Sequence, residues 1–197
     1  MTKSAAAGDV VTPGRPGKRA RLVAAASDLL YRQGVERTTL ADIAQVADVP
    51  VGNVYYYFKT KDDVIAAVIE AHAQQVDTTL SLIDARHRSP RSRLKAFVRE
   101  LAGQSEIVAD YGCPLGGLCS ELDKRVEGSS LAVAGLMRLP IDWAAKQFES
   151  LGRRDAQELA VHLLATYEGS ALLANTLRDP GILSGAARRL ERWIDTL

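Results

Sequence analysis

Apolar residues recur at three- and four-residue spacing along nearly the whole chain, and no segment alternates as a half-buried strand would. From Lys18 to Gln33, Leu22, Ala26, Leu29 and Leu30 share one face, with Gly34 placed to end the helix. Leu40, Ile43, Ala44 and Ala47 form a second stripe, opened by Thr39 as cap with Asp42 completing an acidic capping box. Asp48-Val49-Pro50 interrupts it: Asp tolerates left-handed backbone, and Pro suits the start of a new helix. In that helix Val51, Val54, Tyr55 and Phe58 are read as the inner face, leaving Gly52, Asn53, Tyr56 and Tyr57 outside. Thr60 and Asp63 form a second capping pair. They open a long helix from Lys61 to about Ala85, with Val64, Ile65, Val68, Ile69, Ala73, Val76, Leu80 and Ile83 as its stripe.

The pattern continues to the C-terminus. Ser89-Pro90 starts a helix read as running from Arg91 to Asp110, with Leu94, Phe97, Val98, Leu101, Ile107 and Val108 inside. Gly112 stops it, and Pro114 starts another that reaches about Val126. Ser129 to Leu151 is helical by pattern, but Pro140 must kink or break it before Gly152 ends it. The last two helices run from Arg154 to Leu177 and from Pro180 to Leu197. Leu159, Leu163, Leu164, Tyr167, Ala171, Leu172 and Ala174 line the first; Ile182, Leu183, Ala186, Leu190, Trp193 and Ile194 line the second. Gly169, Ser170 and Ala171 permit close helix approach. The fold class is all-α.

Two short helices joined by a tight turn, with a polar and aromatic outer face, describe a helix-turn-helix. The run from Leu22-Val23-Ala24-Ala25-Ala26 through Gly34, Thr38-Thr39-Leu40, Ile43-Ala44 and Gly52-Asn53-Val54-Tyr55 to Phe58-Lys59-Thr60-Lys61 resembles the DNA-binding domain of TetR-family transcriptional regulators. The resemblance implies an all-helical homodimer. Residues 18–63 would form a DNA-reading domain, and residues 64–197 would bind a small molecule and dimerise through the last two helices as a four-helix interface. The helix beginning at Lys61 would carry the ligand signal between them. Gly112-Cys113-Pro114-Leu115-Gly116-Gly117-Leu118 is similar to a pattern found at this position in one branch of the family. Four positions depart from the family pattern. Leu30 stands where Phe is usual, Asp48 and Pro50 where Gly and Ser are usual, and Tyr57 where His is commoner. Pro50 has no N–H to give a phosphate.

Bulk composition is compatible with this reading. The 197 residues are 47% hydrophobic and 25% charged, as in ordinary soluble domains. No apolar run suits a membrane span and the N-terminus lacks a signal-peptide core, so a cytoplasmic location is expected. The formal charge of +1 divides unevenly. Met1 to Lys61 holds nine basic and five acidic residues, or +4, against 16 basic and 19 acidic in the remainder, or −3. Residues 1–17 lack periodicity and are expected to form a flexible arm, in which Arg15 sits between Gly14 and Pro16, just before Lys18. Such an arm suits a narrow minor groove, or is only a tail.

The candidate chemistry is recognition. Gly52 lets the backbone approach DNA, Asn53 can pair with adenine or hold a phosphate, and Tyr55, Tyr56 and Tyr57 can reach phosphate or a thymine methyl. Thr38, Thr39 and Lys61 are placed to grip phosphates near helix N-termini. A ligand pocket inside the C-terminal bundle is implied by the resemblance, with Phe97, Leu101, Cys113, Leu115, Leu118, Cys119, Met137, Trp143, Phe148 and Tyr167 as candidate walls. Core packing explains the same residues equally well. Cys113 and Cys119 could instead form a thiol or electrophile sensor, the helix start at Pro114 favouring the Cys113 thiolate, or be structural. Glu168 is read either as an acid facing a cationic ligand or as a polar position on the dimer helix. His72, His87 and His162 are scattered, no cofactor is expected, and catalytic signatures are absent. The sequence therefore reads as a repressor of a palindromic operator, released by a small molecule. A constitutive DNA-binding protein and an enzyme or carrier with a vestigial DNA domain are the other readings.

Overall fold

The computed structural model describes residues 16–123 and 129–197. The basic arm with Arg15, and the expected end of a helix near Val126, lie outside the described residues. The elements are α1 (Lys18–Arg37), α2 (Leu40–Val46), α3 (Val51–Tyr57), α4 (Lys61–Arg86), α5 (Pro90–Ala102), α6 (Ser105–Tyr111), α7 (Pro114–Asp123), α8 (Ser129–Ser150), α9 (Ala156–Leu177) and α10 (Pro180–Thr196). Among the described residues there is no strand.

Local hydrogen-bond logic sets most boundaries. Both capping boxes form: Thr39 accepts from the Asp42 N–H and Asp42 from the Thr39 N–H, and Thr60 with Asp63 repeats the arrangement. A third, Ser89 with Ser92, opens α5 ahead of Pro90. Asp48 takes the left-handed backbone of the α2–α3 turn, with φ of 51°. Gly34 sits within α1 at φ 83° and ψ 166°, so the helix ends there and resumes for one further turn to Arg37.

Three expectations are corrected. The helix read from Arg91 to Asp110 is two, α5 and α6, separated at Gly103-Gln104, and the re-aimed α6 leaves Ile107 exposed. Of the kink or break expected at Pro140 the break is absent, since α8 runs across that residue as one helix. In α3, Val51 and Tyr55 are exposed rather than internal; Val54 and Phe58 alone are buried, and Tyr57 turns partly inward against the same core.

Leu22, Ile43, Val54, Val64 and Val68 are fully enclosed at the centre of the first core. Each such burial is worth roughly 2 kcal/mol, more than a typical cap, so this core holds the reading helices in place. Leu118 and Leu122 from α7 and Val133 from α8 complete it. A second core joins α4, α5, α8, α9 and α10 around Leu94, Phe148, Leu163 and Ile194. A third, smaller one gathers Val108, Cys113, Tyr167, Ala171 and Leu183.

Candidate nucleic-acid interface and ligand cavity

The two short helices present a continuous outer face. Tyr56 is 78% exposed and packs edge-on to Tyr57 at 5.0 Å between ring centres, so one ring of the pair is anchored and the other projects. Asn53 is half-buried beside it, and Tyr55, Val46 and Val51 are exposed nearby. A Cβ built on Gly52 would meet nothing within 4 Å, so the fold itself does not require glycine there. Arg21, from α1, braces the turn: its Nη1 donates to the carbonyls of Ala47 at 2.9 Å and Asp48 at 3.1 Å. The sequence offered no sign of that brace.

Cationic groups flank this face. Lys18 is exposed at the start of α1, and Lys59 Nζ donates to the Tyr55 carbonyl at 2.6 Å. Lys61 Nζ lies 3.4 Å from the Glu36 carbonyl. Thr39 is exposed while its hydroxyl serves the capping box. Thr38 does not join the face. It is fully buried, donating from Oγ1 to the Gly34 carbonyl at 2.8 Å and accepting from Gln33 at 3.3 Å. Its role is to tie off the broken end of α1, and it is not a phosphate contact.

In the bundle, α4, α5, α7, α8 and α9 line a half-open cavity of about 320 Å³. Five of the expected wall residues line it: Phe97, Leu101, Cys113, Leu115 and Tyr167. The other five do not. Trp143 is buried against Phe97 and donates from Nε1 to Asp84 at 3.1 Å, while Phe148 packs on Trp193. Leu118 and Cys119 belong to the reading-head core, and Met137 stays outside the lining. The sequence missed the polar wall supplied by α4, His72, Gln75 and Thr79, which alternates along one helix face with Val76 and Leu80. The signal was that i, i+3, i+4, i+7, i+8 spacing, masked because the same turns also carry the apolar stripe.

Cys113 caps α7: its Sγ accepts from the Gly116 N–H at 3.3 Å and its thiol donates to Glu168 Oε1 at 3.2 Å. Burial, then the Glu168 charge, pushes the Cys113 thiol up to about 12. The expected favouring of a thiolate by the helix start is therefore overturned, since desolvation beside an acid outweighs the helix dipole. Burial raises the Cys119 thiol as well. Glu168, on α9, is among the residues that line this cavity. Tyr31 reaches the same rim and donates its hydroxyl to the Gly112 carbonyl at 2.8 Å.

One further contact ties this region to the reading head. Glu121, on α7, accepts from the Val35 N–H at 2.6 Å, close against Gly34. Helix α7 thus has its first turn in the cavity wall and its later turns on the end of α1.

Comparison with known proteins agrees with this architecture. Residues 22–68 match the family described as bacterial regulatory proteins, tetR family. An uncharacterized HTH-type transcriptional regulator in the dhlA 5' region of Xanthobacter autotrophicus is 33% identical over 188 residues, covering 91% of this chain and 84% of that protein. The HTH-type transcriptional regulator TtgR of Pseudomonas putida is 25% identical over 189 residues, covering 90% and 88%. In fold, the chain is similar to a TetR transcriptional regulator from Chloroflexus aurantiacus, with TM-score 0.80 and 23% identity over 90% of this chain and 94% of the other. One from Legionella pneumophila gives 0.79 and 22%, covering 93% and 98%.

Proposed function

The chain belongs to the TetR family of DNA-binding transcriptional regulators, and from that premise we propose that it is a dimeric repressor released from a palindromic operator by a small molecule. Residues 18–63 would act as the reading head and residues 64–197 as the ligand-binding and dimerising body. The observation that carries the reading is the pairing of a bare α3 surface, built from Gly52, Asn53 and Tyr56, with a 320 Å³ cavity in the body.

Two routes couple them. Helix α4 begins at the reading head and later lines the cavity with His72, Gln75 and Thr79. Helix α7 begins in the cavity wall and holds the end of α1 through Glu121. A ligand that shifts either changes the separation of the two α3 helices, which must match successive major grooves about 34 Å apart. A coupling of about 3 kcal/mol gives roughly 150-fold release.

A constitutive binder has no use for a cavity lined by polar groups from four helices. A sensor working through Cys113 is disfavoured by a thiol held near 12. The deciding experiment measures binding of the purified protein to DNA from its own upstream region at several salt concentrations. Tight, sequence-selective binding with a steep salt dependence is expected, and Asn53→Ala should cost about 1–3 kcal/mol of discrimination. Binding indifferent to sequence and to Asn53 would defeat the operator-reading assignment.

A further inference from the structure

The cavity carries a charge imbalance that its own walls do not correct. Among the described residues it is lined by two carboxylates, Glu168 and Glu100, and by no lysine or arginine. Its nitrogen base is His72, whose pKa is lowered by burial, which disfavours the charged form that would serve as a counter-charge. Glu100 is exposed at the edge, whereas Glu168 is half-buried with the neutral Cys113 thiol as its hydrogen-bond partner. A carboxylate withdrawn from water without a cation is costly, and folds retain one where it has a task.

Glu168 is also deliberately accommodated. A Cβ at Gly116 would collide with Glu168 Oε2, so the absence of a side chain there makes room for the carboxylate on the first turn of α7. Besides its polar positions, the wall offers the apolar and aromatic side chains of Phe97, Leu101, Leu115, Leu164 and Tyr167. An anion would be repelled, and a neutral molecule would leave Glu168 unpaired. A cation beside the carboxylate, in a wall that also holds the aromatic Phe97 and Tyr167, satisfies both.

We infer that the ligand of this cavity is an organic cation with an aliphatic or aromatic body, its positive group held by the Glu168 carboxylate. The assignment rests on the reading of the body as an inducer-binding domain, and it narrows the inducer to a chemical class.

The test uses the full chain and a graded series of quaternary ammonium probes from tetramethylammonium to benzyltriethylammonium, each paired with its neutral carbon isostere. Calorimetry should show at least one charged probe binding more tightly than its isostere by about tenfold or more. Glu168→Gln, which keeps the shape and the acceptor for Cys113, should abolish that preference and leave the neutral probes unaffected. Gly116→Ala, which keeps the charge but displaces the carboxylate, should weaken the cations as well. No charged probe outbinding its isostere, or an undiminished preference in both variants, would overturn the assignment. Operator release separates this from the wider reading. A cation that binds through Glu168 yet leaves the DNA complex intact would sink the inducer role and leave the ligand class standing. Release by a neutral compound, equally potent in wild type and Glu168→Gln, would do the reverse.

Discussion

Glu168 concentrates the tension between stability and binding in a single side chain. Burial raises its carboxyl above the usual glutamate range, so the fold makes its charged form more costly than it is in water. The sign follows from linkage. The cost is absent below the ordinary value of 4.5, grows as pH rises through that value, and is complete above the raised folded-state pKa. Glu168→Gln should therefore be more stable than wild type at pH 7 and no more stable near pH 4, as read by thermal melting at both. Equal stability at pH 7 would mean that the carboxylate is better solvated than its surroundings indicate. Asp42 has the opposite sign: hydrogen bonds from Thr39 hold its carboxyl low, and its support for α2 is lost on acidification. Single residues of this kind were unequally legible in the sequence. Capping pairs use neighbours three apart, and Asp48 needed only its own tolerance of positive φ. Tyr55 and Tyr57 could not be assigned that way. They lie between the buried pair Val54 and Phe58, and the fold packs Tyr57 rather than Tyr55 against that core.

At the scale of elements, the break in α1 is the joint on which the reading head hangs. Gly34 at φ 83° ends the helix, exposes the Val35 N–H to Glu121, and offers its own carbonyl to Thr38. Gly34→Ala places a side chain where left-handed backbone disfavours it, and its Cβ would sit 3.0 Å from a Glu121 oxygen. A loss of about 1–2 kcal/mol in denaturant unfolding is expected from the backbone alone. A larger drop in operator affinity than in stability would identify the joint as part of the coupling. Gly34 and Gly112 could be read as helix stops because such stops commonly use positive φ, which both adopt. Gly103 could not, because its backbone is helical at φ −60°, and the chain leaves the helix only at Gln104. The cavity was half-legible for a different reason. Its apolar walls stand out in any helical pattern, but the placing of His72 of α4 and Glu168 of α9 on one cavity follows only from the packing of the bundle.

For the whole molecule, the outer face of α9 is the surface on which the proposed assembly rests. Val161, Leu172, Leu173 and Leu177 are exposed there, with Ala165 and Gly169 between them at positions that allow close backbone approach. Leu172 was read from the pattern as a core residue, and its 66% exposure corrects that. An apolar stripe with small residues at its centre fits the proposed pairing of α9 and α10 with their symmetry mates. Leu172→Glu should shift the protein toward monomer in sedimentation and weaken operator binding in parallel, because one head reads only one half-site. A stable dimer carrying that substitution would move the interface elsewhere.

The open space around Gly52 has a consequence for inheritance. A larger residue there meets no neighbouring atom, so on the proposed reading the altered subunit would still fold, accumulate and pair. It would be blind only to DNA. In a cell carrying both alleles, most dimers would contain at least one blind head, and a change that damages neither the fold nor the partner surface would silence the normal copies as well. The mildest lesion to the polypeptide would be the dominant one.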